Sequence, residues 1–297
     1  MLAGFVAFGL AASGRFLPHD ERFLDMTAAD LCALHGCRIA HFMIHDRVSF
    51  GGALVALGLI YVWLVEVPLK HREPWAWWLI LVTGVEGFGS FFAFLGYGYL
   101  DAWHAAATLF LAPCFAAGLA LSHRTLRHPA DWRSLLRPSM QIPWYSTAGI
   151  GRAILLAAAA GLIGGGATIL AIGATSVFVP EDLRFLGVTV DELRALNPRL
   201  VPLIAHDRAG FGGAVCCFGL LVFFLIWCCR LSKSLWGVLG LSGAIGFTAA
   251  IAVHPAIGYN DVVHLAPAVI GAILYAVGLM TYRPLCVNNP LDDLAGE

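Results

Sequence analysis

Apolar residues in this chain fall in long continuous runs rather than in alternation with polar ones. The runs lie near 2–17, 48–67, 75–97, 102–122, 152–178, 210–228, 234–256 and 262–282. Most approach the roughly 20 residues needed to cross a hydrocarbon core. Only helices and closed barrels satisfy their own backbone polar groups in lipid, and continuous runs point to helices. The pattern predicts an all-α integral membrane protein of about eight transmembrane helices. The first run is short. It has the small residues Ala11, Ala12 and Ser13 of a signal peptide but no basic start, and it reads as a spanning helix clipped by roughly two to three turns.

The runs are organised as a tandem duplication. The segment from Phe42 through His45-Asp46-Arg47 to Phe50-Gly51-Gly52-Ala53 matches Leu203 through His206-Asp207-Arg208 to Phe211-Gly212-Gly213-Ala214. Gly98-Tyr99-Leu100-Asp101 with His104 matches Gly258-Tyr259-Asn260-Asp261 with His264, and two further blocks upstream keep the same offset of 159 to 162 residues. One offset held across separate blocks is the signature of a repeat. Each copy reads as a four-helix unit whose first loop carries a Thr-x-x-Asp/Glu capping box, hence a short surface helix. An even number of spans per copy puts both copies in parallel orientation. The expected division is a first repeat over 1–122, a basic linker over 123–150, a second repeat over 151–282 and a tail over 283–297.

Composition agrees with a membrane protein and narrows the partners. Charged residues make up 12% of the chain and mean hydropathy is +0.79, about half the charge of a soluble domain. The formal charge of −1 provides no basic stripe for phosphates, so the expected surroundings are the lipid bilayer and no nucleic acid. Lys70, Arg72, Arg124, Arg127, Arg133, Arg137, Arg230 and Lys233 cluster in short connections at one end. The positive-inside rule makes that end cytoplasmic. The expected location is therefore a plasma (inner) membrane, multi-pass, with both termini cytoplasmic and an aromatic belt at Trp75, Trp77 and Trp78.

This topology carries matched polar sets to the non-cytoplasmic face. Copy one supplies His45, Asp46, Arg47, Asp101 and His104; copy two supplies His206, Asp207, Arg208, Asp261 and His264. Imidazole and carboxylate serve as acid–base groups and as ligands of divalent transition metals. The metal candidates are His45, Asp101, His104, His206, Asp261 and His264. The alternative is structural, because Asp caps helix amino ends. The apolar pattern before His45 begins near Arg38, so His45 lies about 10 Å past the helix start, too deep for a cap. The expectation is that the two polar sets of each copy converge in an outward-facing pocket.

Other features bear on chemistry more weakly. Cys32 and Cys37, with His35 and His41, offer soft ligands or a disulfide. Glu86 sits mid-span with Ile245 as its counterpart, a proton relay or a polar tie between helices. Gly161, Gly164, Gly165 and Gly166 read as a helix-packing face. A mid-membrane bis-His haem is not expected, since His254 comes closest to mid-span and lies toward the outer end. Three readings fit: a metal- or ligand-binding membrane enzyme, a proton-coupled transporter, and a non-catalytic membrane subunit or scaffold.

Overall fold

The computed structural model describes residues 1–92, 99, 102–126, 131–229 and 232–287. The described residues are mostly helical, with no strand among them. In order they are α1 (Leu2–Ser13), α2 (Pro18–Leu24), α3 (Ala28–Cys32), α4 (Arg38–Leu64), α5 (Pro74–Phe92), α6 (Ala102–His123), α7 (Thr147–Ala174), α8 (Pro180–Leu186), α9 (Val190–Leu196), α10 (Leu200–Cys228), α11 (Lys233–Ile257) and α12 (Val262–Val287).

Six helical segments among the described residues are long and apolar enough to cross a membrane: His35–Leu69, Ala105–His123, Thr147–Ala174, Leu200–Cys228, Lys233–Ile257 and Val262–Arg283. This is the make-up of a helical membrane protein. The first expected span is a helix of only 12 residues, closed by Gly14 in the left-handed region at φ 64°. The third, over 75–97, runs out of the described residues after Phe92.

Local chemistry explains the helix ends. Thr27 and Asp30 close a reciprocal capping box at the start of α3, and Thr189 and Glu192 do the same for α9. Pro18 and Pro180 open α2 and α8, where no backbone donor is needed. Ser146 and Ser232 cap α7 and α11 by accepting from the Gly149 and Leu235 amides. A π-helical turn, Val65–Leu69, containing Pro68, ends the long fourth helix.

Two apolar cores stack along the molecule. The larger joins α4, α5, α7, α10, α11 and α12 through residues such as Ile60, Leu79, Leu155, Leu221, Leu239 and Tyr275. The smaller forms where the short helices α2, α3, α8 and α9 cover the first turns of α4 and α10, around Leu24, Leu31, Phe42, Leu193 and Leu203. Residues 45–49 and 206–208 lie between these two cores.

Close helix approach is set by glycine. A Cβ added to Gly166 of α7 would stand 2.3 Å from the Cys216 amide nitrogen of α10, and one on Gly212 would stand 2.3 Å from the Leu170 nitrogen. Backbones at that separation need small residues. Gly52 plays the same part between α4 and α11, where an added Cβ would lie 2.2 Å from Ala249 Cβ. Residues before α7 pack against the bundle: Arg152 of α7 donates to the carbonyls of Met140 and Trp227. Of the three tryptophans expected in an aromatic belt, Trp77 and Trp78 are half-buried against the larger core. Trp75 is buried, and the Trp77 indole donates to the Leu119 carbonyl of α6.

Candidate metal and ligand site

The site begins with the early start of α4 and α10. His45 lies seven residues past Arg38 and His206 six past Leu200, about 9–10 Å along each helix. His45, Asp46, Arg47, His206, Asp207 and Arg208 are all buried. None of the three carboxylate–histidine–arginine positions in either helix is a terminal cap.

Their charges are paired across the chain. Arg47 Nη2 lies 2.8 Å from Asp20 and its Nε donates to Asp207 at 3.1 Å. Arg208 Nη1 donates to Asp182, and its Nε donates to Asp46 at 3.4 Å. The Tyr99 hydroxyl donates to Asp20 at 2.6 Å, and the Tyr259 hydroxyl to Asp182 at 2.8 Å. Asp20 and Asp182 come from the short helices α2 and α8, so these are tied to α4 and α10 by buried ion pairs. For Asp182, burial opposes the charge. The Arg208 guanidinium, the Val179 amide and the Tyr259 hydroxyl outweigh it and hold the carboxyl below the usual carboxylate range. Burial, and then the Asp182 charge, push the Tyr259 phenol up.

One end of this network is a histidine triad. His45 Nδ1 lies 2.9 Å from Asp46 Oδ1, which sets the ring so that Nε2 faces His254 Nε2 at 3.1 Å. His264 completes the group: one ring nitrogen from each of His45, His254 and His264 lies within 4.8 Å of the others. Nitrogens bound tetrahedrally to an ion at about 2.0–2.1 Å stand roughly 3.4 Å apart, so small side-chain shifts bring these three onto one ion. The Gly52–Ala249 contact is what allows it. It lets α4 and α11 touch two turns below, on the face that carries His45. Tyr259 stacks on His264 with centroids 4.6 Å apart, and His264 Nδ1 lies 3.9 Å from Asp182.

The sequence candidates distribute unevenly over this arrangement. His45 and His264 meet, but with His254, which was not among the metal candidates. In the expected second copy, Arg208 and His264 come together, both approaching Asp182; the triad also joins α4 to α11 and α12, and Arg47 and Arg208 reach Asp207 and Asp46 across the chain. His206 belongs to the matching set instead, with Nδ1 2.9 Å from Asp207 and its ring 4.7 Å from that of Tyr99. Asp261 accepts from the His264 amide at 3.0 Å and lies 3.5 Å from Arg184, the capping role rather than a ligand's. Asp101 lies outside the described residues, and so does the side chain of His104. Cys32 and Cys37 are joined as a disulfide, which removes them as soft ligands. Glu86 stands on α5 beside Cys217 of α10, with one carboxyl oxygen buried and lacking a hydrogen-bond partner.

A cavity of about 620 Å³ opens from the triad. His45, Asp46, Arg208, His254 and His264 line its polar end; among the described residues none of α5, Glu86 included, lines it. The glycines of α7 split between two roles. Gly166 packs on α10, whereas Gly161, Gly164 and Gly165 have open space where a Cβ would stand, and Gly161 and Gly165 border the cavity. The residues missed from sequence (His254, Asp20, Asp182 and the buried Ser49) each lie in or against this region. Comparison with protein families, curated proteins and solved structures finds no match to the chain.

Proposed function

We propose that this chain is a metal-dependent membrane enzyme that holds one divalent first-row transition ion on His45, His254 and His264. The observation that carries this reading is the convergence of three imidazole nitrogens within 4.8 Å from three different helices. Three protein ligands with a fourth position open to a cavity is the pattern of catalytic rather than structural sites. Asp46 on the far nitrogen of His45 is the outer-shell carboxylate that fixes tautomer and orientation at such centres. Charge points the same way. The network holds four aspartates, Asp20, Asp46, Asp182 and Asp207, against Arg47 and Arg208. A buried excess of negative charge favours a cation nearby. A bound ion supplies Lewis acidity and an ionisable water at neutral pH; the chain's part is to orient the imidazoles and shield the site.

The mirrored pairs Asp46–Arg208 and Asp207–Arg47, and Tyr99–Asp20 and Tyr259–Asp182, support the duplication read from sequence. The basic short connections support placing the triad at the non-cytoplasmic face of a plasma (inner) membrane. The transporter reading loses weight because Glu86 stands off the cavity.

The test is elemental analysis of detergent-purified protein, as isolated and after equilibration with zinc, iron, manganese, cobalt or copper salts. About one ion per chain is expected, and it is lost in His254→Ala and His264→Ala. A folded wild-type protein that retains none of these ions overturns the reading.

A further inference from the structure

The cavity has an unusual shape for a site buried beneath a cover. At the inner end, α7 and α12 touch backbone to backbone: a Cβ on Gly151 would lie 2.7 Å from the Tyr282 nitrogen, and one on Gly278 would lie 3.0 Å from the Leu155 nitrogen. Toward the outer end the two helices part, and the cavity fills the gap. Its rim residues Gly161, Gly165 and Thr168 on α7, and Pro267, Ile270 and Leu274 on α12, are exposed on the lipid-facing side of the bundle. From His264 to Leu274 the cleft follows α12 for about 15 Å. It is therefore a lateral slot, apolar along its length, that ends on the histidine triad.

A second observation indicates what the closed end expects. Ser49 lies one turn below His45 on the same face of α4 and lines the cavity. It is 2% exposed, and its hydroxyl has no hydrogen-bond partner. A buried hydroxyl is normally satisfied, and inside a helix serine commonly bonds back to a carbonyl; this one does neither. A ligand oxygen beside the triad would supply the missing partner. Of the charged side chains that line this cavity, Asp46 and Glu181 are acidic and Arg208 is already paired with Asp46 and Asp182, so the lining itself, without an ion, favours an uncharged head group over an anionic one.

We infer that the slot takes a long-chain amphiphile with an uncharged oxygen head group, an alcohol or carbonyl, directly from the bilayer. The hydrocarbon tail lies between α7 and α12, and the head oxygen meets Ser49 and the open face of the triad. This inference rests on the metal reading for what happens at the head group, but not for binding of the tail.

The experiment uses a diazirine-bearing hexadecanol photoprobe with the full chain in phosphatidylcholine liposomes. Labelled peptides are mapped by mass spectrometry, and metal content is measured on the same samples. Labelling is expected to concentrate in 157–172 and 263–274, and to be displaced by hexadecanol but not by hexadecane. Gly165→Phe fills the slot from open space and should abolish labelling while leaving metal content unchanged. Ser49→Ala should weaken displacement by hexadecanol roughly threefold to tenfold, the loss of one hydrogen bond. Displacement by palmitate as effective as by hexadecanol overturns the head-group assignment. Labelling spread evenly over α6 and the other lipid-facing helices, or unaffected by Gly165→Phe, overturns the inference. Slot labelling without metal would defeat only the metal reading; metal without slot labelling would defeat only this one.

Discussion

His45 of α4 and His254 of α11 face each other Nε2 to Nε2 at 3.1 Å, although 209 residues separate them. Two imidazoles meeting through their distal nitrogens share one proton between them or share a metal. With His264 in the same group and Asp46 behind His45, the second arrangement uses every ring. In sequence, the offset that aligns Tyr99 with Tyr259 sets Phe94 opposite His254. His254→Phe therefore installs the residue that stands at that offset. It should reduce bound metal to background while His206→Ala, on the matching side, retains it. Asp46→Asn should weaken metal affinity about 10–100-fold, the usual effect of removing an outer-shell carboxylate. Competition with a chelator of known affinity measures both.

The ion-pair network makes a separate prediction about stability. Arg208 sits between Asp46 and Asp182, and all three are buried. Arg208→Met leaves two carboxylates uncompensated and should cost about 3–5 kcal/mol, the range for breaking a buried pair by one partner. Adding Asp182→Leu should restore about half of that, because apolar replacement of a whole pair is often close to neutral. The exposed pair Arg194–Asp191 is the control; Arg194→Ala should change stability by less than about 1 kcal/mol. Reversible unfolding in mixed micelles separates the three outcomes. Equal costs for Arg208→Met and Arg194→Ala would contradict the buried network.

How much of this was legible in the sequence follows from what each kind of signal records. The helices were legible because lipid demands continuous apolar runs, and the early start of α4 was legible because that run begins at Arg38, well before His45. The polar sets stood out because they occur twice. That same criterion hid the triad. A repeat search selects what two copies share, whereas His254 has Phe94 as its counterpart. The partners of Arg47 and Arg208 were hidden for another reason. Asp20 and Asp182 look like ordinary loop acids, and only the folding of α2 and α8 back over the spans buries them. The division of labour among the α7 glycines was equally out of reach, since composition records that they are small but not which of them meets a neighbour.

The cover helices should loosen in acid. The Thr27 amide and hydroxyl hold the Asp30 carboxyl below its usual range, and the Thr189 amide and hydroxyl do the same for Glu192. A carboxyl whose pKa is lowered by folding stabilises the folded form above its unfolded value and loses that contribution as pH falls through the folded one. Protection of α3 and α9 should therefore be steady from neutral pH to about 5 and decline below about 4. Hydrogen exchange read peptide by peptide tests this. Glu192→Gln, which keeps an oxygen for the Thr189 amide but does not titrate, should remove the decline from α9 alone. A loss of protection between pH 7 and 5 would point to other groups.

The α7 glycines give the sharpest contrast, because two residues in one turn should respond with opposite sign. A Cβ on Gly164 meets nothing within 4 Å, whereas one on Gly166 meets the Cys216 nitrogen at 2.3 Å, its Cα at 2.7 Å and the Gly212 carbonyl oxygen at 2.7 Å. Gly164→Ala adds only helix propensity and should stabilise by about 0.5–1 kcal/mol. Gly166→Ala gains the same propensity but pushes α7 off α10, and the neighbouring atoms are backbone, which cannot turn aside. The cost of such overpacking is about 1–3 kcal/mol, so Gly166→Ala should be a net destabilisation. Gly164 borders α7's open side without lining the cavity, so its substitution should leave metal content unchanged as well. Stability of the two variants in the same micelles decides the matter. If both stabilise, α7 and α10 do not pack in this register, and the placement of Gly165 at the mouth of the slot falls with it.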